Sequence, residues 1–283
     1  MWKSGWRHLS HHECRYSNRR IDPCQSKSYN PGTILQRFMR PTPRARTGSS
    51  STRARLIRTF QRRLLSWYRH HRRPLPWRDT KDPYKILVSE IMLQQTQVDR
   101  VIPKYHEFLH RYPTVRELAK ARTSEVKRVW YPLGYNIRPV RLRNIAKTVV
   151  ARYDGRIPST YEGLLALDGI GRYTAGAVLS FAFNQDAPIV DTNVARLLSR
   201  YFGVAATRVN GKVASSRRLW ALAQAVIPPG NAYDINQAMM DFGALICTAQ
   251  RPRCATCTLR MTCRSFPYVG SSTSRDTGRH RRR

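Results

Sequence analysis

One ten-residue stretch decides the fold: Leu167-Asp168-Gly169-Ile170-Gly171-Arg172-Tyr173-Thr174-Ala175-Gly176. Its pattern predicts the end of one helix, a tight turn and the immediate start of a second helix. Gly169 and Gly171 are expected to supply the backbone freedom that the turn needs. The first turn of a helix presents free N–H groups, which bind phosphate well. We therefore expect a phosphate-binding hairpin whose contacts come from Gly169, Gly171, Arg172 and Thr174.

Helical spacing of apolar residues continues on both sides of this stretch, and no segment shows convincing strand alternation. Leu56, Phe60 and Leu64 fall on one helical face, and Asp82-Pro83 is a good helix start. The sequence predicts helices over about 53–70, 83–96, 100–111, 115–120, 124–131, 139–153, 160–167, 173–184, 191–201, 214–226 and 234–246. The expected fold class is therefore all-α.

The net charge indicates a polyanionic partner. The chain carries 51 Lys and Arg against 17 Asp and Glu, which gives a formal charge of +34. Nucleic acid is the first polyanion to consider, ahead of a membrane surface. There is no run of about eighteen apolar residues, so no transmembrane helix is expected. The basic N-terminus also lacks the apolar region of a secretory signal.

The ends of the chain differ in composition from the middle. Residues 1–52 carry ten Lys and Arg against two acids and show no sustained apolar period. This composition predicts a disordered basic arm, and residues 269–283 form a basic tail. Three interpretations of the arm stay open: a non-specific DNA-binding segment, an over-extended reading frame with a later start at Met39, and an organelle transit peptide.

Glu90 is a carboxylate on an apolar helical face. Ile86 precedes it by four residues and Leu93 follows it by three, so all three share that face. Partial desolvation raises the pKa of a carboxyl group and keeps it available as a general acid. The alternative is a buried Glu that is satisfied by a neighbouring Arg.

Asp191 is a second candidate acid. It follows an apolar run, Pro188-Ile189-Val190, at the predicted start of a helix, so the simplest interpretation is an N-cap. Taken together with Glu90 and the phosphate-binding hairpin, it completes the pair of carboxylates that glycosidic bond hydrolysis needs. One acid protonates the leaving group, and the other faces the positive charge that develops on the sugar.

Four cysteines crowd into one segment near the end of the chain. Cys247, Cys254, Cys257 and Cys263 are separated by six, two and five residues. The clustering indicates a metal site in a reducing compartment rather than a disulfide framework. Four thiolates in a compact loop hold either a 4Fe–4S cluster or a tetrahedral zinc ion. The spacing lacks the two distant pairs of common zinc fingers, and this favours iron–sulfur.

Several stretches together resemble one family. They are Leu75-Pro76-Trp77-Arg78, Ser89-Glu90-Ile91-Met92-Leu93-Gln94-Gln95-Thr96-Gln97-Val98, Leu133-Gly134-Tyr135, the hairpin, Val190-Asp191-Thr192-Asn193-Val194 and Asn236-Gln237-Ala238-Met239-Met240-Asp241-Phe242-Gly243. With the cysteine spacing, they make residues from about 56 to 266 similar to the helix-hairpin-helix DNA glycosylases of the endonuclease III-like superfamily. The resemblance is closest to the core of the MutY-type, A/G-specific adenine glycosylases.

The resemblance implies a role for each matching position. Glu90 and Asp191 match the catalytic acids, and the four cysteines match the ligands of a 4Fe–4S cluster. The positions that match pocket or base-contacting residues are Arg73, Trp77, Arg78, Gln94, Gln95, Thr96, Tyr135, Tyr173 and Asn193. Of these, residues 94–96 face the base opposite the lesion, and Tyr135 wedges into the base stack of DNA whose target base is flipped out.

The sequence departs from the family in ways that bear on activity. Relatives that also cut the strand carry a hairpin Lys where this chain has Tyr173; a phenol forms no Schiff base, so a monofunctional enzyme is expected. MutY enzymes have Gly, Tyr and Pro where this chain has Thr192, Asn136 and Asp168. They also carry a C-terminal 8-oxoguanine-recognition domain of over a hundred residues, whereas about twenty residues follow Cys263 here.

The sequence therefore predicts a two-lobed, all-α helix-hairpin-helix glycosylase that excises adenine from mismatched double-stranded DNA as a monomer. One lobe spans about 79–180; the other combines about 53–78 with 181–268 and holds the cluster. The alternatives are a thymine or uracil glycosylase that acts on mismatches with guanine, and a non-catalytic iron–sulfur DNA-binding protein. If the source is bacterial, the expected location is the cytoplasm and nucleoid; a nucleus or an organelle is the alternative.

Overall fold

Helices account for almost all of the regular structure in the computed structural model, which describes residues 48–204, 207–209, 212–214 and 216–267. In chain order the elements are α1 (Gly48–His71), α2 (Pro83–Met92), α3 (Val98–Arg111), α4 (Val115–Lys120), α5 (Thr123–Trp130), α6 (Ile137–Tyr153), α7 (Tyr161–Leu165), α8 (Arg172–Phe183), α9 (Thr192–Phe202), β1 (Thr207–Val209), β2 (Lys212–Ala214), α10 (Arg217–Ala225) and α11 (Ala232–Leu245). The all-α prediction is confirmed for this part of the chain apart from one small hairpin. Residues 1–47 and the basic tail lie outside the described residues.

Helices α1 and α11, the first and last of the described chain, pack against each other. On α1, Trp67 meets the ring of Phe242 from α11 edge to face, with centroids 4.9 Å apart. Phe60, also on α1, lies 4.9 Å from the ring of Tyr201 on α9. Burial of these large rings contributes the usual stabilisation of aromatic cores. Helix α11 therefore packs against both α1 and α9.

Helix α2 is the buried helix that carries Glu90. Asp82 caps it by accepting the N–H of Tyr84 at 2.8 Å, and Pro83 occupies the first helical position. Its main partner is α8, the second helix of the hairpin. The predicted extent of this helix to residue 96 is wrong, because α2 ends at Met92 and residues 94–96 form a turn with Gln95 at φ +57°.

The hairpin joins α7 to α8, as the sequence predicts, but its two glycines do different work. Gly169 adopts φ +86°, a left-handed conformation that favours glycine. Gly171 is the N-cap of α8 at φ −93° and ψ 175°, which any residue adopts, so the expected need for backbone freedom at this position is wrong. A Cβ at Gly171 would meet nothing within 4 Å, so its lack of a side chain leaves the helix start open.

Two other glycines allow close approaches between elements. A Cβ on Gly176 of α8 would overlap the carbonyl oxygen of Pro188. A Cβ on Gly243 of α11 would lie 2.8 Å from Cβ and 3.0 Å from the carbonyl oxygen of Asn193. These contacts bring the loop before α9, and the start of α9 itself, against α8 and α11.

A short antiparallel hairpin follows α9. Strand β1 pairs with β2 so that Thr207 lies opposite Ala214 and Val209 opposite Lys212. Because residues 212–214 belong to a strand, the helix predicted from about 214 begins only at Arg217. Strands of three residues are too short for an alternation pattern to be recognised in a sequence.

Helix pairings follow the predicted lobes in part. α2 packs on α8, and α4 and α5 pack on α6, within the stretch 79–180; α1, α9 and α11 pack together outside it. The described residues nevertheless belong to one compact unit, so the division into two lobes stays a prediction. No helix in the described ranges is long and apolar enough to cross a membrane.

Candidate active site

A cavity of about 820 Å³ brings together most of the predicted site. Its walls come from the segment before α2, from α2 with the turn that follows it, from the starts of α3, α8 and α9, and from α11. The predicted residues that line it are Arg73, Trp77, Arg78, Glu90, Gln94, Thr96, Tyr173, Asp191 and Asn193. Gln97, Gln237 and Met240 also line it and were not among the predicted site residues. Gln97 and Gln237 are polar residues within stretches that carry the family resemblance, which is the signal that points to them.

Glu90 lies at the buried end of this cavity with only 4% of its surface exposed. Burial raises the pKa of Glu90 to about 7, and the nearby charge of Asp191 adds to this rise. A hydrogen bond with the Tyr173 side chain and the charge of Arg78 act in the opposite direction on the pKa. The balance leaves the carboxyl group divided between its protonated and ionised forms near neutral pH, which suits proton transfer.

Asp191 is both the N-cap of α9 and the second acid of the cavity. Its Oδ1 accepts the N–H of Val194 at 2.7 Å, and its Oδ2 accepts from Nδ2 of Asn193 at 3.0 Å. Burial raises the pKa of Asp191 above its usual range, while these two donors and the charge of Arg196 lower it. The N-cap interpretation is therefore confirmed. It is compatible with a role of Asp191 in the site, which stays a prediction, because the capping bond uses only one of the two carboxylate oxygens.

Two predicted pocket residues are held by Asp241, an acid that is not among the site residues predicted from the sequence. Arg78 donates from both terminal nitrogens to Asp241 at 2.8 and 2.9 Å, and Arg73 donates from Nε to the same carboxylate at 2.7 Å. The side chain of Asp241 is fully buried. A signal was present, since Asp241 is flanked by Met240 and Phe242 in a helix and is an acid among apolar residues, as Glu90 is.

A chain of hydrogen bonds leads from Asp191 towards the cysteine segment. Asn193 donates to Asp191 and accepts from Nη2 of Arg196 at 2.7 Å. The same Arg196 donates from Nε to the carbonyl oxygen of Cys247 at 2.7 Å and from Nη2 to that of Gly243 at 2.7 Å. Through Arg196, the orientations of Asn193 and Asp191 are thus linked to the position of the backbone at Cys247.

The four predicted metal-ligating cysteines line one small apolar cavity. They are Cys247, Cys254, Cys257 and Cys263. All four carry free thiols and are half-buried. Burial raises the pKa of Cys257 to about 11, and the other three sulfurs nearby add to this rise. Within the described ranges, no group of three or more His, Cys, Asp or Glu side chains is arranged to hold a metal ion.

The remaining predicted residues lie outside the cavity lining. Gln95 is exposed and Tyr135 is 58% exposed. At the hairpin, the Arg172 guanidinium stacks on Trp220, 4.0 Å from the ring centroid. The side chain of Thr174 is buried, so only its backbone N–H is oriented as a helix-terminus donor. Phosphate binding at this hairpin remains a prediction.

Glu90 on α2 and Asp191 at the start of α9 lie beside one cavity, next to a helix-hairpin-helix element. This fold and this pair of acids correspond to one class of protein. The model of the HhH-GPD superfamily of base excision DNA repair proteins matches residues 88–224, which include Glu90, the hairpin and Asp191. The chain belongs to this superfamily.

Sequence comparison places two kinds of relative nearby. The chain is 43% identical over 223 residues to the adenine DNA glycosylase of Rattus norvegicus, covering 76% of this chain and 43% of the relative. It is 39% identical over 211 residues to the thymine-DNA glycosylase of Aeropyrum pernix, covering 73% of this chain and 94% of the relative. The chain thus spans less than half the length of the mammalian relative.

A solved structure shows the same fold. The structure of a thermostable thymine-DNA glycosylase superposes with a TM-score of 0.70 at 33% identity, covering 76% of this chain and 98% of the other. The endonuclease III-like fold expected from the sequence is confirmed at the level of the superfamily.

Proposed function

We propose that this chain is a base-excision-repair DNA glycosylase that hydrolyses the N-glycosidic bond of adenine paired with guanine or 8-oxoguanine. The observation that carries the proposal is Glu90, whose pKa burial raises to about 7, beside Asp191 at the wall of a cavity. An acid that is partly protonated at neutral pH can donate to a purine nitrogen. The similarity to adenine DNA glycosylases supports the same assignment.

In the proposed reaction Glu90 gives its proton to N7 of a flipped adenine. The C1′–N9 bond then breaks, its electron pair leaves with the base, and the sugar becomes an oxocarbenium ion that faces the Asp191 carboxylate. Glu90, now ionised, accepts a proton from water as the water oxygen bonds to C1′. The products are free adenine and an abasic site, and Glu90 is again protonated.

Tyr173 supports hydrolysis without strand cutting. Its phenol hydrogen-bonds with Glu90, and burial together with the neighbouring acids raises its pKa well above the usual range. A neutral phenol neither attacks C1′ readily nor forms an imine. We therefore expect water to be the nucleophile and the strand to stay intact.

The four cysteines fit a 4Fe–4S cluster by the number and softness of their donors, because four free thiols line one cavity. Cys247, Cys254, Cys257 and Cys263 would hold it. Donors already approach three of these sulfurs. Arg200 Nη1 lies 3.5 Å from Cys247 Sγ, and the backbone N–H groups of Leu259 and Ser265 bond to Cys257 and Cys263. When bound, the cluster would act as a structural element. One of its ligands, Cys247, begins the chain of hydrogen bonds that leads to Asp191.

Mismatched double-stranded DNA is the proposed partner, bound by a monomer in the nucleoid, the nucleus or an organelle. A thymine-DNA glycosylase is the second candidate, favoured by the match to nearly the whole length of the Aeropyrum pernix relative. Thymine has no N7, so Glu90 would then need another proton acceptor.

A base-release assay tests the proposal and separates the candidates. Purified protein is incubated with duplexes that pair adenine with 8-oxoguanine, guanine or cytosine, and thymine or uracil with guanine. Release of adenine with Glu90→Gln inactive supports the proposal; the matched control is Glu107→Gln, a half-exposed surface acid paired with Lys104. Release of thymine or uracil alone would establish the second candidate. Binding without release of any base would refute both and indicate a non-catalytic protein.

A further inference from the structure

Arg138 is a buried cation that binds two separate segments at once. Its guanidinium lies at the start of α6, and the residue is only 4% exposed. Nη1 donates to the carbonyl oxygens of Ile91, Met92 and Gln94 at 3.2, 2.8 and 2.5 Å, and Nη2 donates to Thr96 Oγ1, Leu133 O and Gly134 O at 3.0, 3.0 and 3.2 Å. The two segments are the end of α2 with its following turn, and the turn before α6.

Each of these segments contains a residue in a costly backbone conformation. Gln95 has φ +57° and Tyr135 has φ +49°, both in the left-handed region that non-glycine residues rarely adopt. Such residues persist only where the surroundings determine them. The acceptors of Arg138 flank both positions, since Gln94 and Thr96 enclose the first and Gly134 precedes the second.

Arg138 also touches the exposed ring of the second segment. Its Cζ lies 5.2 Å from the ring centroid of Tyr135 and 5.4 Å from that of the buried Trp130. Both distances lie within the range of cation–π attraction. The exposed ring therefore rests on the same group that fixes the turn after α2.

The position of Arg138 also stabilises the end of the helix that carries Glu90. Ile91 and Met92 are the last residues of α2, where carbonyl groups lack helical partners and a cation is favourable. One side chain thus bonds to the helix that carries Glu90, to the turn that follows this helix and to the turn before α6.

We propose that Arg138 is a positioning residue that couples recognition of the opposing base to insertion of Tyr135. The opposing-base turn is defined as residues 94–96 and the wedge turn as residues 133–135. Because both turns are bonded to one guanidinium, displacement of either by DNA is transmitted to the other. The proposal rests on the proposed function and on the family resemblance, which implies that residues 94–96 face the opposing base and that Tyr135 enters the base stack.

The test compares variants on the same helix. Arg138→Met removes the N–H donors that the six acceptors share, and Arg138→Lys keeps the charge but not the planar fork. The matched control is Arg143→Met, because Arg143 also lies on α6 and donates to a loop carbonyl, that of Ala121, at 2.5 Å. Single-turnover rates of adenine release are measured opposite 8-oxoguanine and opposite cytosine, and their ratio reports discrimination by the opposing base.

We expect Arg138→Met to lower this ratio by about tenfold, the size of a typical coupling between linked sites. Arg138→Lys should restore part of it, and Arg143→Met should leave it within about twofold of wild type. An unchanged ratio in Arg138→Met, or an equal loss in Arg143→Met, would overturn the proposal.

Amide hydrogen exchange provides a readout that does not require activity. The N–H of Thr96 bonds to Leu93 and that of Leu133 bonds to Trp130, so each reports on its own turn. We expect Thr96→Val, which removes one acceptor of Arg138 and leaves the guanidinium in place, to speed exchange at Leu133 as well as at residue 96. A change confined to residues near 96 would refute the coupling, even if Arg138→Met fails to fold. Lack of base release by the wild type would refute the proposed function alone, because the exchange result stands without it.

Discussion

Replacing Glu90 by Gln should stabilise the protein above neutral pH while removing base release. Burial holds the pKa of Glu90 at about 7, against 4.5 for the carboxyl group in the unfolded chain. Between these two values the folded state binds more protons than the unfolded state, so its stability falls as pH rises. The difference between the two pKa values corresponds to about 3 kcal/mol in the free energy of unfolding. This contribution is fully lost once the pH exceeds about 7. Glutamine does not titrate and avoids this loss.

Urea unfolding measures the effect directly. With a slope of about 2–3 kcal/mol per molar urea, the midpoint of Glu90→Gln should exceed that of wild type by about 1 M more near pH 8.5 than near pH 5. Glu107→Gln is the control, since Glu107 is about half exposed and forms only a surface ion pair with Lys104. A difference between Glu90→Gln and wild type that stays constant with pH would refute the claim that burial governs this carboxyl group.

Three further predictions follow from the same geometry. Because Glu90 must carry a proton to act, single-turnover base release should fall by about tenfold per pH unit above its pKa of about 7; a flat profile to pH 9 would contradict its role as the acid. Gly243→Ala should lower the free energy of unfolding, measured in urea, by about 1–3 kcal/mol, because the new Cβ would lie 2.8 Å from that of Asn193. An unchanged urea midpoint would show that α9 and α11 can separate freely. Arg196→Met should slow base release by about tenfold, because Asn193 and the carbonyl of Cys247 lose their shared donor; a wild-type rate would mean that Asp191 is oriented without this chain.

Local patterns in the sequence predict the helices and the hairpin well. Amphipathic spacing and the Asp82-Pro83 start place α2 correctly at its N-terminus, and Glu90 falls on its buried side as expected. The same pattern fails at the C-terminus of α2. Residues 94–96 continue the sequence pattern of α2, but Arg138 binds the carbonyls of Ile91 and Met92, which would otherwise accept the N–H groups of residues 95 and 96 and continue the helix. An interaction with a residue more than forty positions away overrides the local preference.

The supporting contacts of the site could not be predicted in the same way. Arg78 is paired with Asp241 across 163 residues of sequence, and no local period reveals which of the many Arg residues finds which acid. The family resemblance identified Arg78 as a pocket residue, and the structure gives its immediate partner. Arg138 carried no signal at all, because an Arg near a helix start is unremarkable in a chain with 51 Lys and Arg.

The pair of Arg78 and Asp241 also has a consequence for synthesis of the protein. A nascent chain that has released α2 but not yet α11 from the ribosome contains Glu90 and Arg78 but lacks the buried acid that holds the arginine. Leaving such a cation unpaired in the interior is strongly unfavourable. The cavity should therefore form only after α11, which supplies its last wall, has emerged from the ribosome. Translation itself delays the appearance of a competent site until nearly the whole described chain is present.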